Sequence, residues 1–150
     1  MNNRKAKIIV DILMVIFVIL SFVRWYGNNG FLFHGIVGTI FSLLAATHLF
    51  LNRKWLVAVT KNMKARKANR KTKMMYLVDI LLILFWGIVI ITGYLAIPAF
   101  THGNESFEIF SRIHGVFSRI GAGLILLHVI QHLGHIRSYI GIKKNKIKTA

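Results

Sequence analysis

Four histidines recur in two pairs with one internal spacing. Residues 34–48 read HGIVGTIFSLLAATH and residues 114–128 read HGVFSRIGAGLILLH, and both fit H-G-x4-I-x3-L-x3-H. Fourteen helical residues turn through ~1400° and rise ~21 Å, so the two histidines of each pair point within ~40° of one another at different depths. Imidazole nitrogen is a ligand for zinc, copper, iron and nickel. Ligands ~21 Å apart along one helix cannot share an ion. Two such helices facing each other could, with His34 opposing His114 at one depth and His48 opposing His128 at the other. Each opposed pair can place one imidazole on either side of a planar macrocycle such as haem. The core of a four-helix bundle is a common place for that chemistry.

The residues between the histidines agree with a bulky planar group. Gly38, Phe41 and Ala45 lie within ~40° of the His34 direction, and Ser118 and Gly121 do so on the second helix. Small side chains leave room beside a helix axis. Phe41 is expected opposite Gly121, its repeat equivalent, so that one ring fills the space between two stacked cofactors.

The elements that must position these residues are membrane spans. The chain is 55% hydrophobic yet carries 20 Lys and Arg against 4 Asp and Glu. Membrane proteins combine these properties by keeping them in separate stretches. Apolar runs cover about Ile8 to Trp25, Phe31 to Leu51, Met75 to Ile97 and Phe107 to Leu133, and a helix needs roughly 20 such residues to cross a bilayer. The first run follows Arg4, Lys5 and Lys7, but no small-residue cleavage site follows it, so it reads as a span and not a signal peptide. There is no cysteine, which excludes disulfides, thiolate metal sites, iron–sulfur clusters and covalent haem attachment.

The odd-numbered spans repeat as well. VDILMVIF starts at Val10 and VDILLILF at Val78, an offset of 68, whereas the histidine segments are offset by 80. The difference is the extra length of the second outer connection. The expected fold is therefore all-α, an integral membrane four-helix bundle over residues 1–150, built from two parallel-repeat helical hairpins. Basic residues crowd the stretch from Arg53 to Lys73 and the tail from Arg137 to Lys148, while Pro98 to Ser106 holds none. Positive residues stay inside, so both termini are expected in the cytoplasm. The basic stretch sets topology, with anionic lipid headgroups as its alternative contact; nucleic-acid binding is not expected.

Other polar residues have ordinary expectations. Asp11 and Asp79 are repeat equivalents near the inner ends and are expected to cap or to pair with basic neighbours. His132 and His135 share a stripe with His128, but their equivalents are Asn52 and Trp55, which argues against shared ligation. Interfacial hydrogen bonding, a proton relay or a quinone contact suits them. His102 in the outer connection is expected to be exposed. A guanidinium in the bundle needs an anion, and for Arg24 and Arg112 a haem propionate is the candidate; Arg119 points ~140° away from His114. Glu105 and Glu108 could answer Arg112.

Two histidines fourteen apart on each of two helices resembles the haem-ligation pattern in the cytochrome b subunit of quinol-oxidising respiratory complexes. The whole chain is similar to the small four-helix bacterial flavinylation-associated cytochromes, and ferric-reductase-like transmembrane proteins share the spacing. The resemblance implies two non-covalent b-type haems with His34, His48, His114 and His128 as axial ligands, in a bacterial cytoplasmic membrane. It also implies electron relay between a quinone or cytoplasmic-side partner and an extracytoplasmic flavoprotein or other redox protein. These 150 residues contain no flavin or nicotinamide domain, so donor and acceptor are expected to be separate. Two rivals stand beside this reading: a histidine-based transporter of divalent metal, and a membrane subunit without a cofactor.

Overall fold

A computed structural model describes residues 3–23, 27–65, 67–102 and 106–140. The described chain forms four helices in order: α1 Asn3–Phe22, α2 Gly27–Lys64, α3 Arg70–Thr101 and α4 Ser106–Ile140. Helices that bond their own backbone are what an apolar solvent demands. Side-chain hydroxyls follow the same rule. Ser21, Thr39, Ser42 and Thr92 each donate to a carbonyl four residues back, at 2.7–2.8 Å, so none needs a partner outside its helix.

The helices outrun the apolar stretches. α2 has 38 residues and continues through Arg53 and Lys54 to Lys64, well past the span expected to end near Leu51. Lysine and alanine are good helix formers, and Lys61 and Lys64 in the last turn answer the negative end of the dipole. Beyond it, the Lys67 amide donates to the Asn62 carbonyl at 3.0 Å, a closing bond of the Schellman type. Asn69 then starts α3, its side chain accepting from the Thr72 amide at 2.8 Å, an N-cap. What hydropathy marks as a basic loop is therefore mostly helix.

Three helices contain a segment long and apolar enough to cross a membrane: residues 30–64, 70–97 and 106–134. α1 carries Arg4, Lys5, Lys7 and Asp11 near its start, as α3 carries Arg70, Lys71, Lys73 and Asp79, but its 20 residues leave a shorter apolar stretch after them than the 32 of α3. The outer surface is apolar, with Ile19, Leu43, Ile91 and Leu126 each at least 60% exposed. So large an apolar exterior is suited to lipid.

Packing is by hairpins. α1 lies on α2 and α3 on α4, and a smaller contact joins α2 to α3. Lys7 Nζ donates to Asn52 Oδ1 at 2.8 Å across the first hairpin; Tyr94 donates to Thr39 at 3.2 Å between hairpins. The buried apolar residues are few: Val37, Phe41, Val59, Met75, Val78, Val89 and Ala96, with no described side chain below 2% exposure. α2 and α4 meet through side chains, first at Phe31 and Phe107, whose rings stand edge to face at 6.1 Å.

Candidate functional site

Below that aromatic contact α2 and α4 face each other with the four histidines. His34 and His114 have ring centroids 5.8 Å apart with planes at 86°. His48 and His128 are 6.3 Å apart at 78°. The expected opposition across the bundle is thus present twice. An imidazole nitrogen binds a metal at ~2 Å, so two rings on opposite sides of one ion have centroids ~6 Å apart. Both tiers match that separation.

Second partners fix how three of these rings stand. The carbonyl of Val89 accepts from His114 Nδ1 at 3.0 Å, and a carbonyl can only accept, so Nδ1 carries the hydrogen there. Asp79 accepts from His128 Nδ1 at 2.7 Å, and Asp11 accepts from His48 Nδ1 at 2.7 Å. With Nδ1 donating, Nε2 is the basic nitrogen, the arrangement in which a carboxylate or carbonyl orients a metal-binding histidine. Asn52 Nδ2 lies 3.4 Å from His48 Nε2 while donating to the His48 carbonyl at 3.0 Å; the longer contact is the weaker one.

The aspartates depart from expectation. Neither caps nor meets a lysine in these contacts; each reaches the second histidine, His48 or His128, of its own hairpin. The two pairs are repeat equivalents, since Asp79 follows Asp11 by 68 residues and His128 follows His48 by 80. They differ in burial: the Asp79 side chain is 11% exposed and that of Asp11 is 50%.

Between the tiers stands a residue that the histidine pattern does not announce. Trp86 on α3 meets the Phe41 ring at 4.6 Å, edge to face, and a Cβ at Gly121 would touch its indole at 3.8 Å. Phe41 therefore faces an indole where a direct approach to Gly121 is expected. The Trp86 repeat equivalent is Val18 and that of Gly121 is Phe41, so the first hairpin carries Val and Phe where the second carries Trp and Gly. Bulk has changed helices. Among the described residues, the buried indole Nε1 has no hydrogen-bond partner.

Gly93 is the other unannounced residue. A Cβ there would come within 3.2 Å of Cε1 and Nδ1 of His114, so the His34–His114 tier needs a bare backbone at this point of α3. Beside Gly38 a Cβ would meet nothing within 4 Å, and Ala45 and Ser118 are half-buried.

The remaining candidates lie elsewhere. Arg112 pairs with Glu108 at 2.7 Å, with about three-quarters of each side chain exposed, a surface contact of small energetic value. Arg24 and Glu105, and the side chain of His135, lie outside the described residues. His102 is exposed. His132 packs against His128 at 4.5 Å and edge-on to Trp55 at 6.0 Å. Ligand atoms of Asp79, His128 and His132 lie within 4.8 Å of one another, a grouping able to hold a single ion.

The four histidines fit a haem donor set by chemistry and by opposition, and three of them by orientation of Nδ1. Comparison with known proteins adds nothing to this, because no protein family, curated protein or solved structure matches the chain.

Proposed function

We propose that this protein is a membrane b-type cytochrome that holds two haems in its two histidine tiers and relays electrons across the bilayer. The observation supporting the reading is the duplicated opposition of His34 to His114 and of His48 to His128, near 6 Å in both tiers. In it, each tier supplies two axial imidazoles. Bound haem would contribute reversible one-electron iron chemistry. The chain does the rest. Asp11, Asp79 and the Val89 carbonyl hold the imidazoles with Nε2 free to ligate, and Phe41 and Trp86 exclude water between the tiers.

In this reading α1 is the fourth span, and both termini and the 65–69 connection lie on the cytoplasmic side of a bacterial membrane. Electrons pass between a quinone or cytoplasmic-side donor and an extracytoplasmic acceptor such as a flavoprotein. The test is a pyridine haemochrome assay on purified protein, followed by reduction of ferricyanide trapped in liposomes by an external reductant. Two haems per chain and transmembrane reduction are expected. Protein expressed with ample haem that shows no Soret band would overturn the reading.

The Asp79, His128 and His132 grouping supports a second reading, in which the inner end holds a divalent metal. Zinc bound at one per chain, abolished by His132→Ala and accompanied by no haem, would favour it.

A further inference from the structure

Arg119 lies thirteen residues from Ser106 and fifteen from Gly134, the ends of the apolar segment of α4. That is ~20 Å from either end, at the middle of the span. An intramembrane guanidinium is costly unless an anion answers it. Arg119 is exposed on the bundle exterior, and its Nε donates to the Gly115 carbonyl at 3.0 Å. Among the described residues no carboxylate pairs with it. A guanidinium has five N–H donors, so one carbonyl leaves most of its capacity open.

The surface around it is shaped for another helix. Val116, Leu126 and Ile130 lie within ~60° of Arg119 on the helical wheel and are 43%, 62% and 53% exposed. Gly115 and Gly123, four residues to either side, lower the surface; at Gly123 a Cβ would meet nothing within 4 Å, and at Gly115 only the arginine itself. Small residues at such spacing let helix backbones approach in lipid.

A second copy of the chain cannot supply the anion. Of its four acidic residues, Asp11 and Asp79 are engaged by histidines and Glu108 by Arg112, each at 2.7 Å. Glu105 directly precedes α4. None stands at mid-span.

We propose that the Gly115–Arg119–Gly123 face of α4 docks a transmembrane helix of a different protein that carries an Asp or Glu near the middle of its span. The face points away from the histidine tiers, so this interface does not depend on what the tiers bind.

The test is a selection in membranes. The full chain is paired with a library of apolar helices, varied at small-residue positions and holding Asp, Glu, Asn or Leu at the centre. Wild-type protein should enrich acidic centres by roughly tenfold over Asn or Leu, the scale of an interhelical polar contact. Arg119→Lys should keep the enrichment, and Arg119→Leu should lose it while its thermal unfolding stays near wild type. Replacing Arg119 by Glu should invert the preference toward helices with a central Arg. Equal enrichment with wild type and Arg119→Leu, or no enrichment of acidic centres at all, would overturn the proposal. So would energy transfer between labelled copies of the chain that Arg119→Leu abolishes, since the face would then serve self-association.

Discussion

Asp79 and His128 meet at 2.7 Å across the second hairpin, with the carboxylate nearly buried. A buried carboxylate is costly without a partner, so the imidazole N–H stabilises Asp79 as much as Asp79 orients the ring. Asp79→Asn keeps an acceptor but removes the charge. On the di-haem reading it should weaken retention of the inner haem by roughly 10–100-fold, the usual range for such outer partners. Asp11→Asn, at a more exposed carboxylate, should have a smaller effect. Haem titration of both variants checks this, and equal, wild-type retention would remove the orienting role.

On the di-haem reading, ligand substitutions should sort by tier. His34→Ala and His114→Ala are expected to lose one and the same haem, and His48→Ala and His128→Ala the other, because the tiers are ~21 Å apart along the helix. His132→Ala should keep both. Low-temperature difference spectra distinguish the two haems. A single substitution that empties both tiers would mean that they are not independent sites.

Gly93 offers a test that leaves every ligand in place. With a Cβ there 3.2 Å from two atoms of His114, Gly93→Ala should displace that ring and perturb the outer haem alone, at an overpacking cost of ~1–3 kcal/mol. Gly38→Ala, which meets no protein atom within 4 Å, should leave stability near wild type, so a spectral change there would mark a cofactor in that space.

The exchange of bulk between hairpins predicts coupling. Trp86→Val alone should cost ~3 kcal/mol through lost packing, and Gly121→Phe alone should clash with the indole. Together they place at 86 and 121 the Val and Phe that stand at the equivalent positions 18 and 41. Thermal unfolding in detergent should show the double variant more stable than the sum of its parts by at least ~1 kcal/mol. Strict additivity would mean that the two positions do not share space.

Much of this was readable from the residues. The histidine opposition follows from helical arithmetic once the duplication is noticed, because a fourteen-residue step preserves the face. The Asp–His pairs were equally duplicated, yet near so many lysines a carboxylate reads as a cap or an ion pair. The two different offsets, 68 and 80, hid that each aspartate keeps its own histidine. Trp86 was hidden for another reason: α3 is apolar all round, so no face of it stands out as the interior. Hydropathy also ended α2 near Leu51, since it marks what lipid covers and is silent on a helix that continues into water.

The midplane layer carries a consequence for how copies of this protein coexist in one membrane. The tiers are symmetric, so on their account alone a first hairpin could mate with another first hairpin and still oppose His34 to His34 and His48 to His48. Phe41, Trp86, Val18 and Gly121 forbid that indifference. Two first hairpins would bring two Phe41 rings and no indole to the midplane; two second hairpins would bring a pair of indoles and no Phe41 ring to meet them. Only unlike halves make the Phe41–Trp86 contact, and the covalent link through residues 65–69 keeps unlike halves together. The chain thus carries its own mating type, which guards against strand-swapped assemblies that would satisfy every histidine and still be wrong.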